Sequence, residues 1–296
     1  MELDGAPGHG QGIAMPAVST RFAPSPTGWM HLGHAYAAWF SWDRARESGG
    51  RFLLRMEDID AGRVRPGFGQ AILDDLRWLG LAWDGEVVWQ SARQAAYAEA
   101  LARLDALGVV YPCFCTRRAI ADEIARMGGA PHDGEESTYP GTCRVLAPDL
   151  RAERLARGDA HALRLDLAAA LRLTGPLAWT DRRFGRQRVD AGRAGDVVLA
   201  RKDAGTSYHL AVTVDDAWQG IGLVTRGEDL LDSTHIHRLL QALLGLPVPE
   251  WEHHRLVRDT QGRRLAKRDD ATALRTLRAA GWDAERVLGE ARRRAQ

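Results

Sequence analysis

Cysteine is scarce in this chain: its 296 residues include three, Cys113, Cys115 and Cys143. So few, and an odd number, exclude the disulfide framework of a small secreted scaffold. No apolar run approaches the length of a membrane span, and Lys and Arg interrupt every long segment. Excess charge is missing too: 40 Lys and Arg stand against 39 Asp and Glu, a formal net charge of +1. Without a global field, a polyanionic partner has to be held by local patches. The opening MELDGAPGHGQGIAMPAVS lacks the basic start and apolar stretch of a secretory signal, and residues 1–19 read as a flexible leader. Its Gly8-His9-Gly10 suggests a dinucleotide loop, but no strand precedes it. A Gly-x-x-x-x-Gly-Lys-[Ser/Thr] loop is absent, which argues against a P-loop enzyme. No internal repeat is seen.

What is there suits a large catalytic domain or two modest ones: 45% of residues are hydrophobic and 27% charged. Val18 to Phe22 reads as a strand, followed by the loop APSPTG and a helix from about His31 to Glu47. RFLLRME reads as a second strand, and FGQAILDDLRWLG and QSARQAAYAEALARLDALG as helices. This order predicts an α/β fold, a Rossmann-like doubly wound parallel sheet. The pattern breaks at Val109, and residues 109–194 read as an α/β subdomain inserted between sheet halves 20–108 and 195–245. The second half, including YHLAVTVDD, reads as strands and tight turns. DSTHIHRLLQALLG reads as a helix that Asp232 or Ser233 can cap and Gly245 stops. Residues 246–296 read as a basic helical region.

The stretch RFAPSPTGWMHLGH, Arg21 to His34, carries the chemistry. Placed at the end of the first strand, it lies where ligands bind open α/β sheets. Pro24 and Pro26 stiffen the turn. His31 and His34, three apart near a helix N-terminus, are expected to donate to the phosphates of a nucleoside triphosphate. Gly33 between them lets a flat base rest close to the backbone.

That stretch resembles the nucleotide-binding motif of class I aminoacyl-tRNA synthetases, in the form used by glutamyl-tRNA synthetases, with Leu32 for the usual Ile. RMEDIDAGR, YHLAVTVDD and VTRGEDLLDST resemble later landmarks of the same family, the last two as second-half strands. RRLAKR, Arg263 to Arg268, stands where the family carries Lys-Met-Ser-Lys-Ser. The departures are Arg264, Ala266 and Arg268, while Lys267 remains. The resemblance implies an enzyme of the ligase type that activates L-glutamate with ATP and Mg²⁺ and then passes it to RNA. By the same resemblance, Arg21, Phe22, Ala23, Pro24, Ser25, Glu57, Tyr208 and Arg226 bind glutamate. The two guanidiniums would face carboxylates and Glu57 the ammonium. His31, Gly33, His34 and Lys267 hold ATP, with His31, His34 and Lys267 catalytic.

Cys113, Cys115 and Cys143 offer three thiolates to a structural Zn²⁺, which takes four ligands. By chemistry alone His132 is a reasonable fourth, and Tyr139 lies four residues before Cys143. CFC and YPGTC resemble the metal segment of the glutamyl-queuosine tRNA(Asp) synthetases, shortened relatives of glutamyl-tRNA synthetase. That resemblance implies Tyr139 as the fourth ligand. A glutamyl-tRNA synthetase continues far beyond its second motif into an anticodon-reading domain, whereas here some thirty residues follow Lys267. The expectation is therefore the shortened activity: glutamate placed on queuosine in the anticodon of tRNA(Asp), by a cytoplasmic monomer with no membrane partner. Arg182, Arg183, Arg186 and Arg188 form a basic stretch suited to phosphates. The alternatives are a truncated enzyme charging tRNA(Glu), a His-x-Gly-His nucleotidyltransferase without glutamate, and a binding module without catalysis.

Overall fold

The computed structural model describes residues 17–116, 118–120, 122, 139–192, 194–259, 262, 265 and 273–295. Residues 1–16 of the leader, His132, Lys267, and Arg263, Arg264, Ala266 and Arg268 of the second motif lie outside the described residues. No helix among the described residues is long and apolar enough to cross a membrane.

Three short strands form the first sheet: β1 (Thr20–Phe22), β2 (Phe52–Met56) and β3 (Val88–Trp89), all parallel. Every residue of β1 and β2 is buried, as expected when helices cover both faces. Helix α1 (Leu32–Glu47) returns the chain from β1 to β2, and α2 (Phe68–Trp78) from β2 to β3. The turn out of α1 needs glycine: a Cβ on Gly50 would overlap the Val18 carbonyl. Helix α3 (Gln94–Ala106) then leads to β4 (Val110–Cys113).

An antiparallel sheet follows, made of β4, β5 (Ala162–Leu165) and β8 (Val198–Ala200), with α4 (Pro148–Ala156) between β4 and β5. Helix α5 (Leu167–Thr174) leads to the hairpin of β6 (Ala178–Asp181) and β7 (Gly185–Arg188). Strand β6 lies parallel to β10 (Glu250–His254), which pairs in parallel along its whole length with β9 (Leu223–Gly227). Helix α6 (Tyr208–Trp218) precedes β9, α7 (Leu231–Leu244) crosses from β9 to β10, and α8 (Leu274–Ala279) and α9 (Ala284–Arg294) close the described chain. The main core lies between β1, β2, α1, α2 and the last two helices.

The Gly222 and Leu223 amides both donate to the Ser19 carbonyl, at 3.0 and 3.1 Å. These bonds join the foot of β1 to the foot of β9, and the two strands share no ladder above them. The parallel strands therefore meet at a seam, with the β1 half on one side and the β9 half on the other.

Four readings from the sequence are corrected. Tyr208–Trp218 is a helix, not a strand. Its β-branched Val212, Thr213 and Val214 disfavour a helix, but Leu210 to Thr213 are all buried, a pattern that consecutive helical turns permit and a one-faced strand does not. Helix α7 has no side-chain cap from Asp232 or Ser233, because the 3₁₀ turn Glu228–Leu230 feeds directly into it; Gly245 does end it, at φ +63°. The segment from 246 onward begins with a strand, β10, whose EWEHH lacks aliphatic residues. Within 109–194, β6 and β7 belong to the sheet of β9 and β10, while β8 lies beyond 194 and pairs with β5.

Candidate active site

A cavity of about 660 Å³ opens where the two halves part, at the carboxyl ends of β1, β2, β9 and β10. Arg21, Phe22, Ala23, Pro24, Ser25, Glu57, Tyr208 and Arg226 all line it, together with His31, Gly33 and His34. Leu265, from the middle of RRLAKR, also contributes to its wall. The described residues expected to bind glutamate and ATP are thus gathered around one space.

His31 caps α1 from an extended backbone, and its Nδ1 accepts from the Gly33 amide at 3.1 Å. His34 Nδ1 accepts from the His31 amide at 3.2 Å. Each ring therefore carries its neutral-state proton on Nε2, the donor needed for a phosphate oxygen. The ring centroids stand 3.9 Å apart. Gly33 leaves room for the His31 ring, since a Cβ would come within 2.9 Å of His31 Cε1 and push the ring aside. The turn is held from outside by the Leu274 amide, which donates to the Met30 carbonyl at 2.8 Å.

Two buried cations face the cavity, and they differ. Arg21 donates through Nε and Nη2 to Asp216, at 2.9 and 3.3 Å, and through Nη1 to the Thr225 carbonyl at 3.0 Å. One N–H remains on each terminal nitrogen. Asp216 also accepts from Arg55 at 2.8 Å, and these two guanidiniums outweigh burial and hold its carboxyl below the usual range. Arg226 has no carboxylate within ion-pair distance among the described residues. Its partners are His253 Nε2 at 3.1 Å, Tyr208 Oη at 3.2 Å, His237 Nδ1 at 3.1 Å and Thr234 Oγ1 at 2.6 Å. One N–H on Nη2 is left over. Burial lowers the pKa of this guanidinium and likewise of His237, well below the ordinary imidazole value, and Arg226 lowers His237 further. A buried cation surrounded by neutral acceptors is costly unless an anion arrives.

Glu57 supplies the opposite charge. Its amide donates to the Pro24 carbonyl at 3.0 Å, which fixes the residue beside the proline turn. Its carboxylate makes no side-chain hydrogen bond among the described residues; Arg55 Nη2 lies 3.7 Å away. Burial pushes the carboxyl up to about 6, against the pull of Arg55 and Arg21. The cavity thus offers N–H donors of two guanidiniums, one unbonded carboxylate and two imidazoles, a set suited to a zwitterion with an extra carboxylate beside a phosphate.

Several of these partners carried no assigned role in the sequence. Asp216 and Arg55 lie inside VTVDD and RMED. His237 and His253 lie in THIH and EHH, which hold four of the ten histidines. That clustering was the available signal.

Away from the cavity, the Sγ atoms of Cys113, Cys115 and Cys143 lie within 4.8 Å of one another. Cys115 and Cys143 are 3.4 Å apart, and Tyr139 Oη sits 3.8 Å from Cys115 Sγ while accepting from the Cys143 amide at 2.8 Å. Two thiolates at tetrahedral angles and ~2.3 Å from zinc would stand roughly 3.8 Å apart. Three sulfurs and a phenol oxygen so grouped fit a zinc ion. On the β6–β7 hairpin, Arg182 pairs with Glu250 and Arg183 with Glu228, both at 2.9 Å, whereas exposed Arg186 and Arg188 have no ion pair among the described residues.

Residues 17–294 match the family model of class I tRNA synthetases (E and Q), catalytic domain. The chain is 50% identical over 279 residues to a glutamyl-Q tRNA(Asp) synthetase of Rhodobacter capsulatus, covering 91% of this chain and 99% of that protein. To the protein of the same name from Nocardia farcinica it is 50% identical over 268 residues, covering 90% of this chain and 81% of that one. Among solved structures, a glutamate tRNA ligase from Elizabethkingia meningosepticum, in complex with its amino acid, superposes with a TM-score of 0.72 at 29% identity. That match covers 86% of this chain and 52% of the ligase, so the chain spans about half of it.

Proposed function

Because the chain belongs to the class I tRNA synthetases of the glutamate and glutamine group, we propose that it activates L-glutamate with ATP and transfers the glutamyl group to queuosine in the anticodon of tRNA(Asp). The observation that carries this reading is Arg226, a buried cation with a spare N–H and no carboxylate partner among the described residues, in one cavity with Glu57 and the two imidazoles. The similarity to glutamyl-Q tRNA(Asp) synthetases over nine-tenths of the chain supports tRNA(Asp) as the RNA.

In the first step a glutamate carboxylate oxygen attacks the α-phosphorus of ATP. The bond to the bridging oxygen breaks and pyrophosphate leaves with its electron pair. Arg226 and Arg21 hold the two carboxylates, and Glu57 holds the ammonium. The Nε2–H groups of His31 and His34 meet the charge that builds on phosphate oxygens. Mg²⁺, when bound with ATP, adds charge neutralisation on the phosphates. In the second step a hydroxyl of the queuosine cyclopentenediol attacks the acyl carbon. AMP leaves, and the hydroxyl proton passes to the leaving phosphate or to water. Lys267 is assigned to the ATP phosphates by its place in the second motif. Arg186 and Arg188 are assigned to the RNA backbone, alongside Arg182 and Arg183. The enzyme is placed in the cytoplasm with its RNA, as a monomer.

The test incubates the protein with ATP, labelled glutamate and bulk tRNA from cells with and without queuosine. Label should appear in tRNA(Asp) only where queuosine is present. Labelling of tRNA(Glu) irrespective of queuosine would establish instead the charging activity suggested by the glutamate ligase structures. A second expectation follows from Glu57. An ammonium is bound by the ionised carboxylate, so KM for glutamate should rise as pH falls through about 6. Glu57→Gln should raise KM and remove that inflection, as read in pyrophosphate exchange across pH 5–8 (about).

Cys113, Cys115, Tyr139 and Cys143 would hold a structural zinc, which supplies a covalent-like staple to the loop after β4 and no reaction chemistry. His132 remains the alternative fourth ligand. Elemental analysis should find about one zinc per chain. Cys143→Ser should lose the metal and several degrees of thermal midpoint, while adenylate formation at low temperature persists. Full metal retention in that variant would remove Cys143 from the ligand set.

A further inference from the structure

Arg226 is held by four acceptors, and each of them is neutral. Asp216 is ion-paired with Arg21 and Arg55, and Glu57 with Arg55, not with Arg226. Asp181 is kept off Arg226 by the His253 ring: its Oδ2 accepts from His253 Nδ1 at 2.6 Å, and His253 Nε2 accepts from Arg226 Nε at 3.1 Å. The Asp181 bond places the His253 proton on Nδ1 and leaves Nε2 as the acceptor. Asp181 is itself fixed, since its Oδ1 accepts the Arg183 and Phe184 amides at 2.8 and 2.9 Å. His237 repeats the arrangement without an acid. Its Nδ1 accepts from Arg226 Nη1, so its Nε2 carries the proton and donates to His209 Nδ1 at 3.2 Å. His237 and His253 are both buried.

Resting on the glutamate reading above, we propose that His237 and His253 are positioning residues that orient Arg226 while leaving its charge uncompensated, and that this sets discrimination between glutamate and glutamine. A carboxylate in either place would hold the guanidinium equally well but would cancel the charge that prefers an anion. Glutamine, uncharged and with an amide N–H₂ in place of one oxygen, gains nothing from an uncompensated cation. Two imidazoles supply fixed lone pairs without charge. The Asp181 carboxylate, one ring removed, orients the first of them.

The test measures pyrophosphate exchange with glutamate and with glutamine for the unaltered enzyme and for His237→Leu, His237→Asn, His237→Asp and His253→Leu. His237→Leu and His253→Leu should raise KM for glutamate by about tenfold or more, with KM for ATP unchanged, because one bond to the guanidinium is lost. Asn offers Oδ1 near the position of Nδ1, so His237→Asn should restore most of the loss. In His237→Asp the ratio of kcat/KM for glutamate over glutamine should fall by about a hundredfold. The inference is overturned if KM for glutamate and this ratio stay within about twofold of the unaltered enzyme in all four variants. It is overturned too if Asn fails to restore what Leu loses, or if KM for ATP rises in step with KM for glutamate, since that marks a general packing role. Should the leucine variants not fold, Asn against Asp at 237 decides alone: the same ratio in both overturns it. Absence of glutamate-dependent exchange in the unaltered enzyme is a different result. It removes the functional reading, and the inference with it.

Discussion

Replacing Arg226 by alanine is expected to lower glutamate-dependent pyrophosphate exchange by about a thousandfold, a loss of ~4 kcal/mol in transition-state binding. ATP binding, followed by fluorescence or calorimetry, should change by less than about threefold. The argument is electrostatic. Arg226 has paid its desolvation without a carboxylate partner among the described residues, so the substrate carboxylate meets a cation that water no longer screens. Its removal leaves that carboxylate buried beside neutral imidazoles. Lysine should not rescue the activity. Four acceptors are spread over Nε, Nη1 and Nη2, and an ammonium cannot reach them in a planar fork. Exchange within tenfold of the unaltered enzyme would remove Arg226 from the amino-acid site.

Asp216→Ala is expected to lower the unfolding free energy by about 3–5 kcal/mol, measured by chemical denaturation. Asp216 takes three hydrogen bonds from two buried guanidiniums, and Arg55 is fully inaccessible to solvent. Without Asp216, Arg55 keeps Gln219 Oε1 at 2.7 Å and the more distant Glu57 and Asp215 carboxylates, at 3.7 and 3.9 Å. Its Nε and Nη2 already make no hydrogen bond. The same ion pairs predict a direction with pH. The Asp216 carboxyl is depressed in the folded protein, so its contribution is present above the ordinary carboxyl range and is lost as pH falls through the folded value. In Asp216→Ala the acid limb of stability against pH should therefore be shallower. An unfolding free energy within 1 kcal/mol (about) of the unaltered protein would show that Arg55 and Arg21 find other partners.

Much of this was legible from residues in order. RFAPSPTGWMHLGH placed a strand, a proline turn and a histidine-capped helix, because each depends on neighbours within a few positions. Cys113, Cys115 and Cys143 converge as their resemblance implied. The failures share a cause. Tyr208–Trp218 and Glu250–His254 are elements whose character is set by tertiary burial. In α6 hydrophobic and polar residues alike are enclosed, so no face is polar enough to reveal the period. In β10 two of the buried residues are histidines, which read as surface until Asp181 and Arg226 are seen to satisfy one of them. The partners of Arg21 and Arg226 were hidden for the same reason, since they sit 195 and 27 positions away along the chain.

Arg21 is carried by one half of the sheet and Arg226 by the other, and the halves are tied at their base through the Ser19 carbonyl. On the proposed glutamate reading, a dicarboxylic amino acid held by both guanidiniums would have to reach across the seam. Aspartate, one methylene shorter, should therefore be a poorer substrate in pyrophosphate exchange, selected against by backbone spacing rather than by a side chain added to exclude it.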